Sequence, residues 1–421
     1  MSDNNNVSTK KQDINDDNQQ EKFVPELRFP EFTDEWRSKK LGDLSDVTKL
    51  AGFEFTKYVN YSDNGNIIAL RGVNIKKNKL DLTDVKYIDN SDFNKLNRSK
   101  LYPGDLLFTY VGTIGNVALI FKKNKYYLAP NVCRIRSESF INSQFLKFYF
   151  NTQLIKKEIN RYVTKSSQPA LSMENIRKFN VNIPNIKEQN KIANFISLID
   201  RKIDLLERKQ NLVLNEKFIT IQKLILKIKN ENPKVPLDEI FNFKKGKGLS
   251  KNKVSNEGKY KAILYGELYT TYNEIPDKII SFTNCDEGVL SEKGDLLIPA
   301  STTTNGIDLI NSTIINEEGV HLGGDINILR NKHNVQINSL FIGIFLEYGL
   351  RKEIFRLTQG STIIHLYGKD LKKLNVNLPS IEKQNKISEL FKYYLNKEKL
   401  IENKIKMMKN YKKALLQQMF V

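Results

Sequence analysis

The chain has 421 residues, a formal net charge of +19, and only two cysteines and three histidines. A chain of this length exceeds what one hydrophobic core usually serves, so two or more domains are expected. The two cysteines form no Cys-x-x-Cys pair, which excludes a disulfide framework and a zinc cluster, and with so few histidines we expect no metal site.

The positive charge is the compositional feature that bears most directly on function. Lysines and arginines that neutralise phosphates release condensed counterions, so a strongly basic chain favours a nucleic-acid partner. Drift towards lysine in an AT-rich coding sequence would give the same charge, and this alternative stays open at this point.

The chain begins with a polar segment, MSDNNNVSTKKQDINDDNQQEK, which has no targeting pattern. We therefore expect residues 1–22 to form a disordered tail. The sequence also lacks a run of about 18 apolar residues, so no transmembrane helix is predicted. Together these observations predict a cytoplasmic protein.

After the tail, the first half of the chain has strand-like runs first and helices last. Apolar runs separated by turn residues predict strands at IIAL (67–70), DLLFTYVG (105–112), NVALIF (116–121) and YYLAPNVCRIR (126–136). An Asn-Ser start then predicts a helix over NSQFLKFYF, residues 142–150.

Two polar segments in this half have open interpretations. GTIG (112–115) lies between two predicted strands, as either a hairpin turn or a loop whose backbone amides meet a nucleic-acid phosphate. KSSQPALS (165–172) precedes the end of the first half, and its hydroxyls either cap a helix or contact DNA.

The second half of the chain repeats the first. FNVNIPNIKEQNKI (179–192) and LNVNLPSIEKQNKI (374–387) are identical at nine of fourteen positions, 195 residues apart. NSLFIGIFL (338–346) likewise matches the predicted helix of the first half and begins a helix expected near 338–357. The segments AILYG, DLLIPAS, GIDLI and INILR take the places of the strands. The sequence therefore predicts an α/β fold of two tandem mixed α/β domains with small, mostly antiparallel sheets.

Each copy of the repeated motif is followed by a long helix with apolar residues at seven-residue spacing. These seam positions are Ile192, Ile199, Leu206 and Val213 in the first helix and Ile387, Tyr394, Ile401, Met408 and Leu415 in the second. The duplication predicts an antiparallel coiled coil with pseudo-twofold symmetry. The alternative is that each helix packs only on its own domain.

Catalytic signatures are missing from the sequence. It contains no dinucleotide-binding or P-loop glycine pattern, no adenine-methylase signature and no serine-hydrolase elbow. Pro276-Asp277 is the only Pro-Asp pair, and no Glu-x-Lys follows it within thirty residues, as a nuclease of that type requires. The sequence thus predicts a binding protein with no catalytic residue.

Three segments taken together resemble a known family, the specificity subunits of type I restriction-modification enzymes. They are VPELRFPEFTDEWRSKKLGDL near the start, the duplicated Val-Asn-Ile/Leu-Pro block, and the ending KNYKKALLQQMF. The resemblance covers residues 24–421 and implies the following division: target recognition domain 1 at 23–185, a central ruler helix at 186–230, target recognition domain 2 at 231–380, and a C-terminal ruler helix at 381–421.

The resemblance also implies a function. Each recognition domain is expected to read one half of a gapped double-stranded DNA target, and the helix pair to fix the spacing. The subunit is expected to be non-catalytic and to recruit two methyltransferase and two restriction subunits. S-adenosylmethionine, ATP and Mg are expected in those partners and no cofactor in this chain. The assembled complex would be an adenine-N6 DNA methyltransferase and an ATP-dependent endonuclease.

The sequence departs from the family pattern at several positions. Lys165 stands where such domains often carry glycine, as the second copy does at Gly360, and the second copy lacks an equivalent of LRFPEF. Gln210, Lys217 and Thr220 bring polar side chains to the seam of the first long helix. They either interrupt the seam or face methyltransferase helices.

Candidate DNA-contacting residues lie in the segments that follow predicted strands, where loops reach into a groove. In the first half these are Arg71, Asn74, Lys76, Lys77, Thr113, Ser166, Ser167 and Gln168. In the second half these are Tyr265, Glu267, Thr302, Thr303, Thr304, Asn305, Ser361, Thr362 and His365. For each one, a turn or ordinary surface position is the competing interpretation. For the whole chain, the competing function is a stand-alone duplicated DNA-binding regulator.

Overall fold

The computed structural model describes residues 23–123, 125–164, 167–272 and 274–421. The predicted disordered tail at 1–22 lies outside the described residues, as do Lys165 and Ser166. The chain divides into two compact units. Unit 1 contains the described residues up to Leu205 and the segment Ile405–Val421, and unit 2 is Leu206–Lys404.

Unit 1 is built from short strands, short helices and the first part of a long helix. Its strands are β1 Arg37–Lys40, β2 Ser45–Lys49, β3 Ile68–Leu70, β4 Ile75–Lys76, β5 Lys79–Leu80, β6 Lys86–Tyr87, β7 Leu106–Thr109, β8 Val117–Leu119, β9 Tyr126–Leu128, β10 Val132–Ser137 and β11 Asn180–Ile183. Its helices are α1 Leu41–Leu44, α2 Gly52–Tyr58, α3 Ser143–Tyr149, α4 Gln153–Tyr162, α5 Met173–Arg177 and α6 Ile186–Glu231, which continues into unit 2. Short 3₁₀ helices cover Gly72–Asn74 and Asn97–Ser99.

Unit 2 repeats this order. Its strands are β12 Lys234–Pro236, β13 Phe241–Lys245, β14 Tyr260–Ile263, β15 Ser281–Thr283, β16 Val289–Leu290, β17 Asp295–Pro299, β18 Ser301–Thr302, β19 Thr313–Ile315, β20 His321–Leu322, β21 Ile326–Asn331, β22 Ile364–His365 and β23 Asn375–Asn377. Its helices are α7 Leu237–Ile240, α8 Glu267–Thr270, α9 Ser339–Ile344, a π-helical turn Phe345–Gly349, α10 Arg351–Leu357, α11 Gly368–Leu371 and α12 Ile381–Gln418, with 3₁₀ helices at Lys251–Lys253 and Gly306–Ile310.

The two units share their sheet topology. The main four-stranded sheet has the order β2-β10-β7-β8 in unit 1 and β13-β21-β17-β19 in unit 2, with antiparallel pairing throughout. Each unit adds a second sheet, of three strands in unit 1 and four in unit 2, that contains one parallel pair, β3 with β9 and β14 with β20. The prediction of mixed α/β units with small, mostly antiparallel sheets is confirmed.

One predicted strand is wrong. GIDLI forms the 3₁₀ helix Gly306–Ile310, and the strand that pairs with β17 is instead Thr313–Ile315. The helix forms because the side chain of Asn305 accepts a hydrogen bond from the Ile307 amide (3.0 Å) and the Asp308 carboxylate accepts one from the Asn305 amide (3.3 Å). These capping bonds satisfy amides that a strand would give to its neighbour.

The repeated motif performs the same task in both units. In unit 1 the buried Gln189 side chain donates to the Pro184 carbonyl (2.9 Å) and accepts from the amide of Asn142 (2.9 Å), the N-cap of α3. In unit 2 Gln384 donates to the Pro379 carbonyl (2.9 Å) and accepts from the amide of Asn338 (3.0 Å), the N-cap of α9. Each glutamine thus fixes the start of a long helix to its own globular part.

The two long helices run antiparallel within each unit. In unit 1 the Asp200 carboxylate pairs with Lys412 (2.5 Å), and the Asn182 amide donates to the carbonyl of Val421 (2.8 Å). In unit 2 Lys217 pairs with Glu398 (3.0 Å) and Glu231 with Lys383 (3.1 Å). As residue numbers rise along α6, those of its α12 partners fall. The antiparallel pairing is confirmed, and the alternative that each helix packs only on its own domain is excluded.

The residues of the seven-residue seam lie on the buried face of this pair. Seven of its nine residues are at most 6% exposed, and Leu206 and Met408 are half-buried. The polar positions of α6 face α12: Lys217 is 8% exposed and lies 5.3 Å from the Phe391 ring centre, while Thr220 lies 3.5 Å from the Tyr394 hydroxyl. For these two residues, the interpretation that they face a methyltransferase subunit is therefore wrong.

A segment without a counterpart in unit 2 covers the start of α6. The guanidinium of Arg28 donates two hydrogen bonds to the fully buried carboxylate of Glu188 (2.8 and 2.7 Å), and the Trp36 indole also donates to it (3.3 Å). The pKa of Arg28 is raised by this pairing. The residue of unit 2 that corresponds to Glu188 is Lys383, so no carboxylate at that position requires an arginine partner. An LRFPEF segment is therefore not required in unit 2. Over the described ranges, no helix combines the length and apolar character needed to cross a bilayer.

Candidate nucleic-acid interface

Unit 1 has an open cleft of about 460 Å³ at the end of its main sheet. The cleft brings together Arg71, which follows β3, and Thr113, which lies in the loop between β7 and β8. Phe55, Tyr61 and Asn131 also line it. Two residues that the sequence predicted to contact DNA are thus brought to one surface, although 42 positions separate them in the chain.

The guanidinium of Arg71 is oriented by the loop that follows it. Its Nη2 donates to the carbonyl of Asp84 (2.9 Å) and lies 3.1 Å from the carboxylate of the same residue. The side chain keeps 24% of its surface exposed. An arginine held in this way at a cleft wall presents its remaining donors in a fixed direction, which suits recognition of a base edge or a phosphate.

Asn74 lies beneath this loop and is 1% exposed. Its side-chain amide donates to the carbonyls of Asp81 (3.1 Å) and Asp84 (2.6 Å), and its side-chain oxygen accepts from the Arg71 amide (3.1 Å). All its polar groups are therefore used to shape the loop. The geometry favours a supporting role for Asn74, in place of the predicted contact with DNA.

Lys76 and Lys77 lie outside the cleft lining, on the β4–β5 hairpin. Lys77 and Asn78 form its turn, with φ of 49° and 59°. Lys76 is 58% exposed and pairs with Asp81 (2.7 Å), which lowers the pKa of that carboxyl. The Asn78 side chain bonds Asn151 and the Val117 amide (3.1 Å), so the hairpin is fixed to the rest of unit 1.

The GTIG segment is a hairpin turn, as one of its two interpretations predicted. Gly112 and Gly115 adopt φ of 74° and 99°, and the Thr113 carbonyl accepts from the Thr109 hydroxyl (2.6 Å). The segment around Ala170 lies beside it, because Ala170 bridges to Val111. Ser167 and Gln168 are exposed there, and Ser166 lies outside the described residues. The Ser172 hydroxyl caps α5 by accepting from the Asn175 amide (3.0 Å).

Unit 2 has its own cleft, of about 620 Å³, which contains Tyr265 and Glu267. The Glu267 carboxylate accepts from the Leu264 amide (2.7 Å) and from the hydroxyl of Ser281. It therefore supports the wall of the cleft from within. Tyr265 is half-buried at the same wall, where its ring provides a surface for a base or sugar.

The other predicted residues of unit 2 lie on two adjacent loops joined by β18 and β22. Thr302 is buried, and its hydroxyl lies 2.9 Å from that of Thr304, which bonds Asp308. These threonines and Asn305 shape the turn. Thr303, Ser361 and Thr362 are exposed, and the His365 ring stacks on Tyr367 with centres 5.8 Å apart. Ser301 links these loops to the cleft through Asp325 (3.1 Å).

Two sets of cleft residues were missed from the sequence. In unit 1 these are Phe55 and Tyr61, whose signal was the aromatic-rich segment GFEFTKYVNY. In unit 2 these are Ser250 and Lys251, whose signal was the lysine-rich segment KKGKGLSKNK. Both segments follow the first strand of the main sheet, which ends at Lys49 in unit 1 and at Lys245 in unit 2.

The long helices carry a second apolar stripe, on the surface. On α6 it consists of residues seven positions apart that are 52–69% exposed: Leu198, Leu205, Leu212, Ile219 and Leu226. On α12 the residues 195 positions later, Tyr393, Leu400 and Met407, are 56–69% exposed. We call these residues the outer stripe. Large apolar side chains at regular spacing on a surface mark an interaction site for another helix.

The remaining features of the described residues concern metal-ligand clusters and reactive thiols. In the described ranges there is no group of three or more His, Cys, Asp and Glu side chains that would hold a metal ion. Cys133 is buried in unit 1, where burial raises the pKa of its thiol to about 12 and keeps it protonated. The clefts themselves are lined by residues that include one basic side chain each, Arg71 in unit 1 and Lys251 in unit 2.

Comparisons with known proteins agree with this arrangement. The family described as Type I restriction modification DNA specificity domain matches the chain twice, over residues 33–215 and 229–410. A Methanocaldococcus jannaschii protein that carries the name type I restriction enzyme MjaX specificity subunit is 22% identical over 385 residues, covering 86% of this chain and 87% of that protein.

Solved structures show the same fold. The crystal structure of a type I restriction-modification S subunit from M. genitalium matches with a TM-score of 0.58 at 17% identity, covering 94% of this chain and 99% of that one. A structure from work on complex assembly and conformational transition of the type I restriction-modification system matches with a TM-score of 0.57 at 14% identity, covering 91% and 97% of the two chains.

Proposed function

Because the chain belongs to the type I restriction modification DNA specificity family, and is therefore a specificity subunit with two tandem recognition domains, we propose that each domain reads one half of a gapped DNA target. The observation that supports this proposal is a contrast between two parts of each unit. The main sheet and the junction with the long helix, which we call the frame, are alike in both units, and the loops that line the clefts differ. Both units have the same strand order, but Arg71 and aromatic residues line one cleft and Tyr265 with lysine and serine residues lines the other. Two different clefts on one frame suit two different half-sites.

The spacing between the half-sites is proposed to depend on the long helices. The 46-residue α6 follows recognition domain 1 and precedes recognition domain 2, and it is paired along its length with α12. A helix rises about 1.5 Å per residue, so the length of α6 fixes how far apart its ends lie. The helix pair is thus proposed to set the length of the DNA spacer.

The outer stripe is the proposed docking site for the methyltransferase subunits. It occurs on both long helices, and three of its five α6 positions have a large exposed apolar residue 195 positions later. Two similar surfaces on one chain suit two copies of one partner. The partner element is proposed to be an amphipathic helix, because the stripe has coiled-coil spacing.

As a specificity subunit the chain is non-catalytic, and the chemistry is proposed to come from the assembled complex. That complex is proposed to contain two methyltransferase subunits that use S-adenosylmethionine and methylate adenine at N6. Two restriction subunits that use ATP and Mg are proposed to complete it as an endonuclease. Its place of action is proposed to be the cytoplasm, where chromosomal and incoming DNA are accessible.

The proposal is tested by mapping methylated adenines. The chain and its methyltransferase partner are expressed in a host that lacks other adenine methylases, and the genome is sequenced by a method that detects N6-methyladenine. We expect methylation within one asymmetric motif of two parts separated by a fixed gap. Methylation without a motif, or at a single ungapped motif, would contradict the two-reader proposal. A stand-alone regulator would bind DNA tightly without the partner, which a mobility-shift assay with the purified chain measures.

Docking is tested by placing charge on the outer stripe. The double variant Leu205→Glu, Leu400→Glu is expected to weaken binding of the methyltransferase subunit by about 10-fold or more, because the centre of a helix interface tolerates no unpaired charge. The control is Asn211→Glu, Lys406→Glu, at exposed positions outside the seven-residue series. Co-purification and calorimetry measure how well each variant binds the methyltransferase subunit. Equal binding by the stripe variant and the control would exclude the stripe as the docking site.

A further inference from the structure

A short segment of unit 2 concentrates positive charge beside the cleft. Residues 244–253, KKGKGLSKNK, contain five lysines and no acidic residue. The segment starts in β13, which lies at the edge of the main sheet, and ends in the 3₁₀ helix Lys251–Lys253. We call it the lysine loop.

The backbone of the lysine loop is held rigidly at its base. A Cβ atom on Gly246 would lie 1.9 Å from the Gly323 carbonyl oxygen, so only glycine allows this close approach. The Gly248 carbonyl accepts from the Gly324 amide (3.0 Å). Leu249 adopts φ of 48° with its side chain 3% exposed, a strained conformation that its buried contacts maintain. The loop therefore presents its lysines from a fixed platform.

Three of the five lysines have no acidic partner. Lys245 lies 3.5 Å from Asp325 and Lys253 lies 2.5 Å from Glu287. Lys244, Lys247 and Lys251 are exposed and form no ion pair within the part of the chain that the structure describes. Lys251 lines the same cleft as Tyr265. Lys244 and Lys247 belong to the same loop, seven and four residues before Lys251.

The matching segment of unit 1 has a different character. After β2 it folds as α2, and its two lysines are placed against aromatic rings, Lys49 at 5.4 Å from the Tyr110 ring centre and Lys57 at 5.6 Å from that of Tyr58. Phe53 is 65% exposed there. Unit 1 therefore has two lysines against aromatic rings, and an exposed phenylalanine, at the position where unit 2 has five lysines.

From these observations we infer that the lysine loop is a phosphate clamp, with Lys244, Lys247 and Lys251 contacting the DNA backbone beside the half-site that unit 2 reads. The inference rests on the proposed function and deepens it. Lysine ammonium groups on a fixed loop recognise phosphate as point charges and carry no base sequence. Unit 2 then contributes a sequence-independent part of the affinity from a segment with five lysines, where unit 1 has two.

The test uses the full chain in complex with its methyltransferase partner. Binding to a duplex with the mapped target and to a scrambled duplex is measured by fluorescence anisotropy over a range of salt concentrations. The variant K244Q/K247Q/K251Q is expected to bind both duplexes about 10-fold or more weakly. Because each phosphate contact contributes about 0.9 to the slope of log affinity against log salt, the slope is expected to fall by about 2 to 3.

Two controls separate the clamp from other effects. K244R/K247R/K251R keeps the charge and is expected to keep the wild-type slope. K234Q/K293Q/K352Q removes three exposed lysines of unit 2 that do not line the cleft, and it is expected to change the slope much less. An unchanged slope in K244Q/K247Q/K251Q, or a loss confined to the target duplex, would overturn the clamp. A wild-type complex that does not distinguish target from scrambled duplex would instead overturn the proposed function.

Discussion

The two units share one set of glutamine hydrogen bonds at the start of their long helices and differ in the contacts of their loops. Gln189 and Gln384 make matching hydrogen bonds to a proline carbonyl and to the N-cap asparagine of a shorter helix. Nine residues after that asparagine, unit 1 has Asn151, which bonds the tip of the β4–β5 hairpin, and unit 2 has the half-buried Glu347. The repetition therefore follows the frame that presents the helices, and the divergence follows the loops.

This comparison assigns separate tasks to the two kinds of contact. A contact that must hold α6 against α12 is needed once in each unit, with the same geometry. A contact that shapes a cleft depends on which DNA sequence that cleft meets, so nothing requires it to be the same in both units. The following predictions test this division, starting with the frame.

Shortening the helix pair is expected to have the largest effect. Deleting residues 206–212 of α6 together with 401–407 of α12 removes one seven-residue layer from both helices, about 10 Å of rise, and keeps the seam in register. Both clefts stay intact, but the helix pair that is proposed to set the spacing is one layer shorter. We therefore expect affinity for the original target to fall by about 1000-fold, to the level of nonspecific DNA. A library of targets with different gaps, selected by methylation, is expected to yield a shorter gap. An unchanged gap would remove the ruler role.

The next effect is expected at the cleft of unit 1. Arg71→Ala is expected to weaken binding to the specific duplex by about 10- to 100-fold, the range for loss of a bidentate base contact, with a much smaller effect on random duplex. Because Arg71 also bonds Asp84, the control is Asp84→Asn, which removes that ion pair and keeps the guanidinium. Equal losses on specific and random DNA would show that Arg71 contacts phosphate only, and an equal loss in the control would show a loop effect.

The frame was largely accessible from the sequence. Asn142 and Asn338 were identified as helix starts, and the seven-residue spacing from Ile192 and from Ile387 identified the buried seam, because these signals are local and periodic. GIDLI was misassigned because its capping by Asn305 and Asp308 outweighs the strand propensity of its isoleucines.

The cleft residues were harder to predict because their roles depend on contacts between distant segments. Asn74 and Glu267 have the polar side chains of a base reader, yet their hydrogen bonds are used within the protein. Only the folded loop shows this. Arg71 and Thr113 were named separately, and their approach in one cleft depends on the pairing of β3 with β9 and of β7 with β10 within unit 1. Which of the exposed residues contact bases stays a prediction.

The two junction glutamines offer a direct test of equivalence. Gln189→Ala and Gln384→Ala each leave a buried proline carbonyl and a half-buried amide without a partner, which is expected to lower the free energy of unfolding by about 2 kcal/mol in each case. Asn190→Ala and Asn385→Ala are matched controls, since they remove only exposed side-chain bonds to Asn142 and Asn338 (2.6 and 2.8 Å) and are expected to cost much less. Urea denaturation measures all four. A large difference between the two glutamine variants would break the equivalence of the junctions.

The smallest effect is expected at Glu347, a carboxyl that unit 1 lacks at the matching position, Asn151. Burial raises the pKa of Glu347 to about 8, so the folded state holds a proton that the unfolded state releases near 4.5, and stability is lost as the pH rises from about 5 to 8. Its carboxylate accepts from the Ser312 amide (2.6 Å), a bond that glutamine retains, so Glu347→Gln removes the titration and keeps the contact. We expect this variant to match the wild type at pH 5 and to melt about 5 °C higher at pH 8. Asn151→Asp places a carboxyl at the matching position of unit 1 and is expected to introduce a similar pH dependence there. If the melting temperature of Glu347→Gln instead falls with pH as steeply as that of the wild type, the pH dependence does not come from Glu347. The pH dependence would then not distinguish the two units at this position.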